Sequence, residues 1–133
     1  MENYSTTSKS AIGLDANVAA ALGYIVVILG LINFLIDKEN KFVRFHGIQS
    51  VIYAVGVCVV FFVLGIVLFI LSIVATMVAD VLALLVGILN ILLFLAFVLT
   101  LFGGLIYCAY KAYQGQTFKL PVVGDFAEKL VNS

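Results

Sequence analysis

The 133-residue chain is 65% hydrophobic and 11% charged, with a mean hydropathy of +1.26, which excludes an ordinary soluble domain, where roughly a quarter of residues are charged. Its seven basic and seven acidic residues cancel, so there is no basic field of the kind that draws nucleic acid, and nucleic acid is not an expected partner. The expected solvent is a lipid bilayer, and the expected fold is all-α: one integral membrane bundle of three transmembrane helices with a short C-terminal interfacial segment.

Residues 1–14 read as a polar, Ser/Thr-rich tail ahead of a single membrane domain over 15–133. A cleaved signal peptide would end its apolar core on small residues, whereas Ala19-Ala20-Ala21 opens the first apolar stretch, so that stretch is expected to be retained. From Ala16 to Ile36 it reaches about 31 Å as one helix, enough to cross a hydrocarbon core of about 30 Å once. Asp15, just ahead of it, is expected to cap the free amides of the first turn.

After the charged connector Asp37-Lys38-Glu39-Asn40-Lys41, apolar character resumes near Phe42 and runs to Tyr110. From Ile48 to Tyr110 the only side chain charged at neutral pH is Asp80. Two spans fit there, placed at 48–74 and 84–110 with a turn near Asp80, because an aspartate at mid-membrane costs about 2.5 to 3.5 kcal/mol. Three spans put Lys38, Lys41, Arg44, Lys111, Lys119 and Lys129 on one face and Lys9 on the other. The positive-inside rule then predicts a cell-membrane protein with its N-terminus outside and the tail 111–133 in the cytoplasm.

On a helix starting near Lys41, His46, Gln49, Ser50 and Tyr53 fall at i, i+3, i+4 and i+7 and share a face. Such a face turns to other helices or to water, and Asn33 and Tyr107 are expected at a similar depth, giving one cytoplasm-facing polar cluster. It reads either as a contact site for a partner or as interhelical hydrogen bonding at about 0.6 kcal/mol per bond, the second being preferred. Lys41 and Arg44 stand where anionic lipid headgroups would meet them. His46 is the only histidine, and no acid shares its face to orient it for Ser50, so no catalytic residues and no enzyme activity are expected. Cys58 and Cys108 lie in apolar runs without ligand spacing, so neither a disulfide, a metal site nor a cofactor is expected.

In the third span, Ala96, Thr100, Gly104, Cys108 and Ala112 repeat every fourth residue as a packing seam, and Asn90 offers one amide for an interhelical bond. Tyr107, Tyr110 and Tyr113 beside Lys111 mark the headgroup boundary. Beyond them, Gly115, Pro121 and Gly124 punctuate a turn, and Phe126, Leu130 and Val131 form the stripe of a short interfacial helix.

The passages Asn40 to Ser50, with its Arg-Phe-His-x-x-Gln-Ser string, and Ala112 to Asp125 resemble the signatures of a family of small archaeal and bacterial membrane proteins distantly similar to the Tic-twenty component of chloroplast protein import. The resemblance runs from about Asp15 to Leu130 and implies that Arg44, His46, Gln49, Ser50, Gly115, Pro121 and Gly124 matter, with no activity attached. Gly47 stands where the family is expected to carry alanine. The function expected is that of a small subunit or scaffold that forms a homo-oligomer or joins a larger membrane complex. The alternative is an oligomeric pore or translocation component.

Overall fold

The computed structural model describes residues 4–133, which form five helices and no strand: α1 Ala16–Ile25, α2 Val27–Ile36, α3 Lys41–Val78, α4 Asp80–Tyr113 and α5 Val123–Asn132. The all-α class holds. Two compact units divide the chain, one built from residues up to Ala54 and from Gly104 on, the other from Val55–Gly103.

In the first unit, the stretch 16–36 departs from the expected single crossing. Val26 takes extended angles (φ −120°, ψ 97°) and separates two ten-residue helices. The cause is local. Ile25-Val26-Val27-Ile28 is a run of four β-branched residues, each crowded at χ1 against the preceding turn of a helix. The two helices then fold back on each other. The Asn33 amide donates to the Ala19 carbonyl at 2.9 Å, although fourteen residues along a straight helix would part them by about 21 Å. Gly23 and Gly30 permit this approach, since a Cβ on Gly23 would lie 3.1 Å from the Gly30 Cα.

Asp15 does not cap α1 through its side chain; its backbone carbonyl accepts from Ala19 N at 2.9 Å. The connector is where side chains terminate helices. Asp37, 4% exposed, accepts from Ala11 N at 2.9 Å and Asn40 N at 3.3 Å. Asn40 accepts from Val43 N at 3.2 Å, the bond of an N-cap, and donates to the carbonyl and the hydroxyl of Ser8.

These bonds tie the N-terminal segment to the connector, and others tie it to the C-terminal segment. Tyr4 N donates to Thr117 Oγ1 at 3.3 Å, and the Asn132 amide donates to the Tyr4 hydroxyl at 3.3 Å. Asn17 donates to the Tyr113 carbonyl at 3.1 Å. The expected placement of the two termini on opposite faces of a bilayer does not agree with these contacts, because segments that bond to each other cannot have a membrane between them.

α4 ends on Gly115, whose φ of +77° is the left-handed position of a Schellman motif. Gly115 N donates to Ala112 O at 2.9 Å and Gln116 N to Lys111 O at 3.1 Å, the two bonds that motif requires. The chain then runs without regular secondary structure over 116–120 towards α5. Val122, with φ 65° and ψ −57°, makes a γ-turn closed by Val123 N to Pro121 O at 2.7 Å. α5 buries Gly124, Ala127 and Val131, at i, i+3 and i+7, and leaves Phe126 and Leu130 exposed. Of the expected stripe, Val131 therefore lies on the packed face.

In the second unit, residues 55–78 of α3 and 80–103 of α4 lie antiparallel, reversing at Ala79. Each arm reaches about 36 Å, enough to cross a hydrocarbon core of about 30 Å. The Phe61 and Phe97 rings meet at 5.4 Å, and the Asn90 amide donates to Ser72 Oγ at 3.0 Å and to the Val86 carbonyl at 2.9 Å. Asp80 sits in the first turn of α4, where a carboxylate suits the helix dipole, and Lys111 in the last. Apolar side chains along both arms are exposed, Met77 by 82% and Phe62 by 69%. A surface this continuous and apolar suits lipid as its solvent. α3 and α4 are the two helices long and apolar enough to cross a membrane among the described residues.

Candidate functional site: a buried polar clasp

The Arg-Phe-His-x-x-Gln-Ser string opens α3, and helical spacing points His46 and Gln49 to one side, where both are fully buried. His46 Nε2 faces the Gln116 carbonyl at 3.0 Å. A carbonyl only accepts, so Nε2 carries the proton and Nδ1 is left to accept from the Tyr24 hydroxyl at 2.8 Å. Phe42, Phe45 and Tyr24 surround the imidazole edge-on, with ring centroids 4.6, 5.2 and 5.5 Å away.

Gln49 extends the network one turn further along. Its amide nitrogen donates to the Tyr24 hydroxyl at 2.7 Å and to the Phe118 carbonyl at 2.9 Å, and its amide oxygen accepts from Leu120 N at 3.0 Å. Two side chains of α3 thus hold the backbone of 116, 118 and 120, alternate residues of a strap without regular secondary structure. Glycine is needed at 124 for the same reason: a Cβ there would lie 2.9 Å from Gln49 Oε1 and overlap the Lys119 side chain. The ammonium of Lys119 bonds Asp125 at 2.7 Å and Glu128 at 2.5 Å. Asp125 and then Glu128 hold it above the ordinary lysine range, and Lys119 holds the Asp125 carboxyl below the ordinary aspartate range. Asp125 is exposed and Lys119 and Glu128 are only half-buried, so the strap is fastened chiefly by the buried amides.

The remaining expected residues divide. Asn33 bonds Ala19 inside the helix hairpin. Ser50 donates to the Gly47 carbonyl at 2.8 Å and packs against Gly30. With both His46 nitrogens engaged, Ser50 has no base in this arrangement. Tyr53 lies over Gly104, which explains that glycine of the small-residue seam, and Cys108 and Ala112 of the same row are buried. Tyr107 stays outside the clasp and stacks edge-on against Phe118 at 5.3 Å, with the Lys111 ammonium 5.6 Å from its ring. Arg44 donates to the Phe34 carbonyl at 3.2 Å and lies over the Phe34 ring at 4.8 Å, while Lys41 donates to Asn132 at 3.1 Å. Gly115 and Gly124 shape the strap, and Pro121 supplies the carbonyl of its γ-turn.

Tyr24, the hub of the network, falls outside the helical pattern of α3, and its sequence signal is a lone hydroxyl inside an apolar stretch. Gln116 and Leu120 act through backbone atoms, which no side-chain pattern announces. Among the described residues, no three His, Cys, Asp or Glu side chains come together as a metal site.

The family described as magnetosome magnetite crystal formation protein matches this chain over residues 9–127. A UPF0132 membrane protein of Methanocaldococcus jannaschii is 35% identical over 122 residues, covering 91% of this chain and 93% of its own length. A UPF0132 membrane protein of Archaeoglobus fulgidus is 37% identical over 119 residues, covering 89% and 97%. A second M. jannaschii relative is 35% identical over 120 residues, covering 90% and 72%. Neither the family nor these relatives carries a protein-import description. No solved structure matches the chain. With nearly its whole length aligned to archaeal membrane proteins, the chain belongs to the magnetosome magnetite crystal formation protein family and is akin to the UPF0132 membrane proteins.

Proposed function

We propose that this chain is a non-enzymatic scaffold or small subunit of a membrane complex, anchored by the α3–α4 hairpin and presenting a folded module at one membrane face. The observation that carries the reading is the clasp. The side-chain nitrogens and oxygen of His46 and Gln49 are all bonded within the chain, so these polar groups fasten the strap and leave nothing poised for a substrate. What the strap builds is a surface, α5 with Phe126 and Leu130 facing outward. The magnetite chemistry in the family description stays with the proteins so described; membrane-bound organisation is the part carried to this chain. A photoreactive residue in place of Phe126, activated in native membranes, is expected to capture a discrete protein, either a second copy or another subunit. Adducts to lipid alone, there and at Leu130, would overturn the scaffold reading.

The topology proposed with it differs from the three-span expectation. With two crossings, both termini and the 37–40 connector lie on one face, as their mutual hydrogen bonds support. All seven basic residues then share that face, Lys9 included, and the opposite turn at Ala79 carries none. The positive-inside rule places it in the cytoplasm. Reporters fused to the N-terminus and to the C-terminus are both expected to read cytoplasmic, and an N-terminal reporter on the far side would restore three crossings.

A further inference from the structure

No charged side chain lies between Asp15 and Asp37, and α1 and α2 turn back on each other at Val26. The tip of this hairpin is bare: Ile25 is 67% exposed, Val26 44% and Ile28 71%. Leu31 and Leu35 continue the stripe down α2 at i+3 and i+7 from Ile28. At the turn both backbone groups of Val26 are bonded, its N donating to Leu22 O at 2.8 Å and its carbonyl accepting from Leu29 N and Gly30 N, at 2.9 and 3.3 Å. Lipid favours a turn whose polar backbone groups are met from within, and those of Val26, the residue that breaks the helix, are.

The residues exposed at this tip are aliphatic. Protein interfaces are anchored by Tyr, Trp, Arg and Met, and the tip offers none of these, so the chemistry of its partner is that of acyl chains. Its depth is limited as well. Each helix is about 15 Å long, half of a hydrocarbon core of about 30 Å, so a hairpin entering from one face leaves by the same face and displaces lipid in one leaflet only.

We propose that the Ile25–Val26–Ile28 tip is a single-leaflet wedge that sinks into the headgroup and acyl boundary and makes the protein favour membrane that is convex on that face. Shallow apolar insertion spreads the headgroups of the leaflet it enters. A convex surface already has them spread, so insertion costs less there than in a flat sheet. This goes beyond the scaffold reading and requires no protein partner, so either can fail alone.

The test uses the full-length chain, labelled at its N-terminus and reconstituted into giant vesicles of phosphatidylcholine and phosphatidylglycerol, from which narrow tubes are pulled. An external quencher separates the two insertion orientations. Molecules with the N-terminus outside are expected to be enriched roughly twofold in the tube over the parent vesicle, and those with it inside depleted. In the double variant Ile25→Ser/Ile28→Ser the ratio should fall to one, since both side chains are exposed and leave the packed face untouched. Should the serines disturb the hairpin, Ile25→Ala/Ile28→Ala keeps the tip apolar but shorter and is expected to give an intermediate ratio. Equal density of the wild type in tube and vesicle, or enrichment unchanged in a folded variant, would overturn the wedge.

Discussion

Gln49→Leu is expected to release the strap 116–120 and lower stability by about 2 to 4 kcal/mol. Leucine fills much of the same space but removes both donors and the acceptor, leaving the Leu120 N–H and the Phe118 carbonyl without their partner. Each buried polar group so stranded costs about 1 to 3 kcal/mol, less where water reaches the edge of the strap. The readout is tryptic cleavage after Lys119 in detergent micelles. Cleavage follows the population of the open strap when opening is fast, so the loss corresponds to an increase of roughly thirtyfold or more. Gln49→Glu sharpens the test. Its carboxylate still accepts from Leu120 N but faces the Phe118 carbonyl oxygen to oxygen, a repulsion that a proton on the acid turns into a hydrogen bond. The folded form then binds that proton more tightly than the unfolded chain does. Stability of the glutamate variant should therefore rise as pH falls through the folded-state pKa, which leucine cannot imitate. Wild-type cleavage rates in both variants would show that the clasp does not hold the strap.

How far the sequence foretold this arrangement depends on which atoms do the work. The lipid-facing hairpin was legible because composition alone dictates it: a stretch with Asp80 as its one charged group has only lipid for a solvent, and the expected spans 48–74 and 84–110 fall within α3 and α4. The shared face of His46 and Gln49 was legible from helical spacing, and the structure adds that both are spent on a backbone strap. Over 16–36, length and hydropathy point to one crossing, and local conformation at Val26 overrides them. A run of four β-branched residues between Gly23 and Gly30 marks a break that an apolar count overlooks. The two-crossing topology proposed above brings the termini together, in keeping with the bonds from Tyr4 to Thr117 and Asn132. Depth alone groups Tyr107 with the cluster, and depth does not decide which way a side chain points.

Gly30→Ala is expected to destabilise the fold by about 1 to 3 kcal/mol, against the usual sign for such a change. Replacing glycine by alanine inside a helix ordinarily gains about 0.5 to 1 kcal/mol, because glycine loses more backbone freedom on folding. At Gly30 the space is already taken. A Cβ would lie 2.7 Å from the Gly23 carbonyl oxygen and 2.9 Å from that of Gly47, and would overlap Ser50 Oγ. The serine hydroxyl can rotate away. The two carbonyls belong to the backbones of α1 and α3, so α2 must move off both, weakening the Asn33 bond to Ala19 and the Arg44 bond to Phe34. Gly47 is constrained in the same way from the other side, since a Cβ there would overlap the Gly30 carbonyl. Its glycine, where the family resemblance led to alanine, thus lets α2 sit close on α3. Gly56→Ala and Gly87→Ala provide the contrast, because nothing lies within 4 Å of a Cβ at either position. Thermal unfolding in one detergent should place Gly30→Ala several degrees below the wild type and both controls at or above it. If Gly30→Ala melts with the controls, α1 and α2 do not fold back on each other as described, and a single straight helix over 16–36 becomes the better account of that stretch.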